Sequence, residues 1–140
     1  MNHPRREVRP RPDDERGASV SVLIAACIPA FILICGLAVD GAHQVSAQRA
    51  ATVTAAQAAR VGSDSAATGR LTGLDARQEA MRAAREHVGT QPGMACTVGI
   101  DANDRVHVEV STRADTAFLS IVGINHLNAR GAATAELRPV

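Results

Sequence analysis

Between Ala18 and Val39 the chain reads ASVSVLIAACIPAFILICGLAV, 22 positions without a charge, and the pattern breaks at Asp40. A helix rises about 1.5 Å per residue, so such a run reaches about 33 Å, enough to cross a hydrocarbon core about 30 Å thick. A chain of 140 residues has too little other protein to enclose it, which predicts a membrane span and not a buried core helix. Pro29 falls inside the run and predicts a bend there, tolerable in a membrane. Val45-Ser46-Ala47 offers small residues for a signal cleavage. The run is nevertheless longer than the signal-peptide core of about 7–15 residues, which favours a retained anchor. Ser21 with Ala25, and Ala26 with Ala30, have the small-residue spacing that lets another membrane helix come close.

The pattern on either side is different. Residues 1–16 are polar, carry three prolines and mixed charges, lack any period, and read as a disordered tail. After Asp40 an Ala- and Gln-rich stretch without proline predicts that the membrane helix continues outward as a stalk to about Gly62. Ala47, Ala50, Ala51, Ala55, Ala58 and Gly62 share a face of small residues suited to close packing. Residues 63–74, rich in Gly, Ser and Thr, read as a flexible linker.

Residues 75–140 then read as a small extracytoplasmic α+β domain. Asp75 with Gln78 has the spacing of a capping box, and the helix it opens, 76–88, has a buried stripe of Ala80, Met81, Ala84 and Val88. CTVGID and RVHVEVST alternate around ANDR, the pattern of a β-hairpin with Val106, Val108 and Val110 on the inner face and His107 and Glu109 on the outer. TAFLSIVGI predicts a short apolar helix capped by Asp115. A last strand carries Leu127, Ala129, Gly131, Ala133, Ala135 and Leu137 on one face, small enough for a helix to lie close. The expected fold class is α+β: one N-terminal transmembrane helix and its stalk, 17–62, followed by a helix and antiparallel sheet.

Charge adds topology. The 15 basic residues, all arginine, nearly balance 14 acidic ones, which leaves no footprint for nucleic acid. Arg5, Arg6, Arg9, Arg11 and Arg16 precede the span while only Arg49 and Arg60 follow closely. The N-terminus is therefore expected in the cytoplasm of a bacterial cell, and the C-terminal domain outside its cytoplasmic membrane. Two Phe, and no Trp or Tyr, leave no aromatic platform for bases or sugars.

Candidate chemistry is thin. Asp40, His43 and Ser46 are the residue types of a hydrolase triad, but three-residue steps on one helix provide neither the nucleophile turn nor an oxyanion hole. Asp40 is instead expected to mark the membrane exit, a carboxylate stopped at the outer interface. His43, His87, His107 and His126 have no metal-ligand spacing, and Cys27, Cys35 and Cys96 form no framework. Cys96 is expected to be buried or available for an intermolecular bridge. The expectation is a protein that is not an enzyme and has no cofactor or metal. Its alternative is a membrane-tethered ligand-binding or sensor domain, which requires a pocket with convergent polar groups.

RGASVSVL at 16–23, the apolar run with Pro29, GLAVDGAHQ at 36–44 and AATVTAAQAARVGSD at 50–64 together resemble the TadE/TadG-like pseudopilin or pilus-assembly proteins of the tight-adherence (Flp) pilus system. TAFLSIVGINHLNARGAATAEL also looks like the closing segment of such proteins. The resemblance implies a small single-pass membrane protein that helps to assemble or stabilise a thin surface fibre. Its partners would be pilin-like or pilus-assembly proteins, including oligomers of its own kind, met by helix packing and without catalysis. Some members are cut by a prepilin peptidase after a glycine preceding the apolar helix, which here is Gly17. Two positions depart from the family pattern: Val22 stands where a glutamate is often found, and Gln57 where an aspartate is.

Overall fold

A computed structural model of the chain describes residues 13–137, with side chains from Val20 onward. Most of the expected N-terminal tail, 1–12, and the last three residues lie outside the described residues. Helix α1 (Asp13–Thr72) is followed by α2 (Ala76–Gly89), strands β1 (Ala95–Ile100) and β2 (Arg105–Asp115), a 3-10 turn at Leu119–Val122, and β3 (His126–Glu136). The fold is α+β, with a single helix long and apolar enough to cross a membrane among the described residues.

Two sequence boundaries are corrected. Residues 13–16, expected in the tail, are already helical. The expected linker at 63–74 is also helical as far as Thr72. The composition of that stretch was misleading because its small residues serve packing. A Cβ on Gly62 would come within 2.9 Å of the Ala80 carbonyl oxygen, so glycine there lets α2 lie against α1, while a Cβ on Gly69 would make an ordinary contact, 3.4 Å from the Glu79 Cβ. Thr68 and Thr72 turn their hydroxyls back onto the carbonyls of Asp64 and Thr68, removing those donors from competition with the helix. The real end is at Thr72, nearly three turns beyond Gly62. Gly73 adopts a φ of +76°, the Leu74 N–H donates to the Gly69 carbonyl at 2.9 Å, and the Gly73 N–H to that of Arg70, the pairing of a Schellman stop.

The remaining elements follow the pattern closely. Asp75 caps α2, accepting from the N–H of Arg77 and Gln78. Ala80, Ala83, Ala84 and Val88 of α2 are buried, with Met81 against them at the edge of the core. In the β1–β2 turn, Asp101 accepts from the N–H of Asn103 and Arg105, each at 2.9 Å. The Arg105 backbone N–H is the main reason the Asp101 carboxyl sits below its ordinary pKa, against an opposing desolvation. The sheet is antiparallel in the order β1-β2-β3, with Cys96 opposite Val110, Val98 opposite Val108, and Val110 opposite Gly131.

The core is an alanine-valine contact layer. Ala51, Ala55, Ala58, Ala59 and Ala66 of α1 and Ala80 and Ala84 of α2 meet Val98, Val106, Val108, Val110 and Leu137. Alanine buries little area per residue, so stability depends on close approach and on many dispersion contacts. Gly131 sets that approach: a Cβ there would overlap the backbone of Thr52 and Ala51. Ser63, buried on the same face, donates its hydroxyl to the Glu136 carbonyl and ties α1 to the end of β3. The C-terminal half of α1 is thus the central helix of the domain and not a free stalk.

Candidate functional site

The N-terminal half of α1 is left outside this core. Val22 (70% exposed), Leu23, Ile24, Ile28, Phe31, Leu33 (69%), Ile34 and Leu37 all face outward around the helix. A helix apolar on all sides needs an apolar surrounding. Only 6% of its most hydropathic window, of mean hydropathy 2.8, is covered by the rest of the chain. Pro29 interrupts neither the helix nor its assignment, although it contributes no N–H to the Ala25 carbonyl. Cys27 and Cys35 lie exposed on the same segment.

At the end of this apolar run two residues are buried, and both are occupied by the β2–β3 connection. Asp40 is only 1% exposed. One carboxylate oxygen accepts the Ala117 N–H at 2.7 Å, and the other accepts those of Phe118 at 3.0 Å and Leu119 at 2.7 Å. Successive backbone amides at the start of a helical turn converge on one point and present partial positive charge, a good receptor for a carboxylate. One turn back on α1, Gly36 is buried beneath the Phe118 ring, which a Cβ at that position would overlap. The expected cap, Asp115, does not take this part: it is the last residue of β2, opposite His126. The apolar turn has no side-chain cap of its own, and Asp40, nearly eighty residues earlier, replaces one.

Asp40 is therefore more than the first polar residue after a span. Its two oxygens are engaged by the amides of 117–119. His43 and Ser46 sit exposed farther along the same unbroken helix, so the three triad residue types do not form a cleft. The chain matches no family model, no curated protein and no solved structure.

The other singled-out residues are dispersed. His107 Nδ1 lies 3.1 Å from the Thr134 hydroxyl on the outer sheet face, and His126 lies 3.7 Å from Asp115. Among the described residues no three His, Cys, Asp or Glu side chains come together to hold a metal. Cys96 is half-buried against the core. Gln57 is exposed on α1, and Gly17 lies in the first turns of α1, on the segment described by backbone alone. The groove lined by Pro92, Met94, Arg113 and Arg130 is open. Among the described residues one buried side-chain nitrogen, His87 Nε2, has no hydrogen-bond partner, and His87 does not line this groove.

The latch was not foreseen from sequence because its halves are 77 residues apart and no local rule couples them. One signal was present: a glycine and an aspartate four residues apart, on one helical face, at the end of an otherwise bulky apolar run.

Proposed function

We propose that this chain is a single-pass bacterial membrane protein of tight-adherence (Flp) pilus assembly, TadE/TadG-like, acting without catalysis. In this reading its N-terminus is cytoplasmic and its α+β head lies outside the cytoplasmic membrane. One observation carries the proposal: α1 is divided between two roles. Its alanine half is consumed by the head, while residues 20–39, apart from Gly36 beneath Phe118, remain exposed and apolar. Such a half-helix suits lipid before assembly and a bundle of neighbouring apolar helices afterwards, because both surroundings are equally apolar. Of the stalk's small-residue face, Ala51, Ala55, Ala58 and Gly62 are covered by the chain's own sheet and α2 while Ala50 is exposed, which leaves the span as the larger surface for helix partners. The sequence resemblance supplies the pilus.

Deleting the gene in its native host is expected to reduce surface fibres and adhesion, with restoration by the intact chain but not by one whose 20–39 segment is replaced by a polyleucine span. Fibres unchanged by deletion would refute the reading. Mass measurement of the native N-terminus separates the retained anchor from a mature form starting at Ala18 after cleavage at Gly17.

A further inference from the structure

We propose that the β2–β3 connection, residues 116–125, is a second membrane contact. Its apolar turn enters the outer interfacial layer of the lipid bilayer and is held there by Asp40. The inference rests on α1 spanning the membrane, as proposed above, and extends it to a surface on the head.

The first argument is position. Phe118 packs on Gly36, four residues inside the apolar run, or about 6 Å below Asp40 along the helix axis. An apolar run about 33 Å long around a hydrocarbon core of about 30 Å has little length to spare, so the level of Gly36 is that of lipid. Because Asp40 fastens the amides of 117–119 directly, the turn has no freedom to rise away from that level.

Composition is the second argument. TAFLSIVGIN, 116–125, has no charged residue. Ile121 is 81% and Val122 71% exposed, with Phe118 and Ile124 also outward. In water this is an apolar patch without purpose.

The third is the treatment of polar groups. A segment entering lipid must satisfy its backbone internally. Besides the three amides bound by Asp40, the N–H of Ile121 donates to Phe118, that of Gly123 to Ser120, that of Ile124 to Leu119 and that of Thr116 to Asn125. The hydroxyls of Ser120 and Thr116 donate to the carbonyls of Ala117 and Ile124. Seven of the ten backbone N–H groups of 116–125 are thereby met within the chain.

Lacking Trp and Tyr, the chain accepts a single reporter. The experiment compares Ile121→Trp, Ile28→Trp in the span and Ala102→Trp in the distal β1–β2 turn, each in the full chain reconstituted into phosphatidylcholine vesicles with and without brominated acyl chains. Ile121→Trp is expected to be quenched about twofold or more with blue-shifted emission, as for a side chain about 5–10 Å below the headgroups. Ile28→Trp should be quenched and Ala102→Trp should not. In the Ile121→Trp background, Asp40→Asn, whose amide has one acceptor oxygen and puts its own donors against the backbone N–H groups, should return the emission toward that of Ala102→Trp. Quenching at Ile28 without quenching at Ile121 overturns the contact and leaves the span standing. No quenching at Ile28 removes the span and the contact together. Equal quenching at Ala102, or an Ile121 signal indifferent to Asp40→Asn, also overturns the proposal.

Discussion

At the scale of single residues, Asp40 combines two properties that rarely coexist: a carboxylate nearly excluded from water and, among the described residues, no basic side chain hydrogen-bonded to it. Three backbone amides take the place of the cation, and their fixed geometry makes the site selective for a flat, two-oxygen acceptor. Replacing Asp40 by alanine would leave those amides without an acceptor, and amide exchange at Ala117, Phe118 and Leu119 should accelerate roughly tenfold or more, with the β2–β3 strand amides little changed. Hydrogen-exchange mass spectrometry of the detergent-solubilised chain reads this directly. Asp40 as the end of the apolar run was legible from its neighbours. Its engagement was not, since residue type and charge say nothing about which distant amides a fold will deliver.

Among the elements, what could be read depended on how local the cause was. The Asp75 cap, the alternation of Val106, Val108 and Val110, and the small face of β3 each follow from a few adjacent residues, and each is found where the pattern puts it. The extension of α1 from Gly62 to Thr72 was hidden because glycine has two opposite uses. It relaxes the backbone in loops, and it removes a side chain where two backbones must approach. Only the facing element, α2, distinguishes them. The apolar turn was anticipated as a helix, but its aspartate was misassigned, because Asp115 is nearest in sequence while Asp40 is nearest in space. Close approach gives a sharp test on β3. Gly131→Ala should destabilise the head by about 1–3 kcal/mol as strand and helix are forced apart. Gly99→Ala, with nothing within 4 Å of the added methyl, should stay within about 0.5 kcal/mol in denaturant titrations.

For the whole molecule, two surfaces meet at one boundary: an apolar half-helix with no covering and a head whose core is complete without it. The hydrophobic core cluster begins at Ala51 on α1 and closes with Leu137, so nothing in it draws on residues 20–35. A fragment comprising 41–140 is therefore expected to remain folded and monomeric without detergent, by circular dichroism and size-exclusion chromatography, whereas the full chain should require detergent or lipid. The same fragment lacks Asp40 and Gly36, and its residues 116–125 should become the first site of proteolytic nicking.

The unbroken course of α1 past the latch also fixes a bearing. A domain carried on a bare helix can swivel at the first flexible residue, but here the helix that leaves the apolar run is the helix that carries the sheet, and Asp40 fastens the sheet's own loop to it a second time. The azimuth of the head about the helix axis is thereby locked to that of the span. One residue inserted between Asp40 and Ala51 would turn them against each other by about 100°, so that latch and core compete for the same chain. Each side of residues 20–39 therefore lies at a fixed bearing from each edge of the sheet.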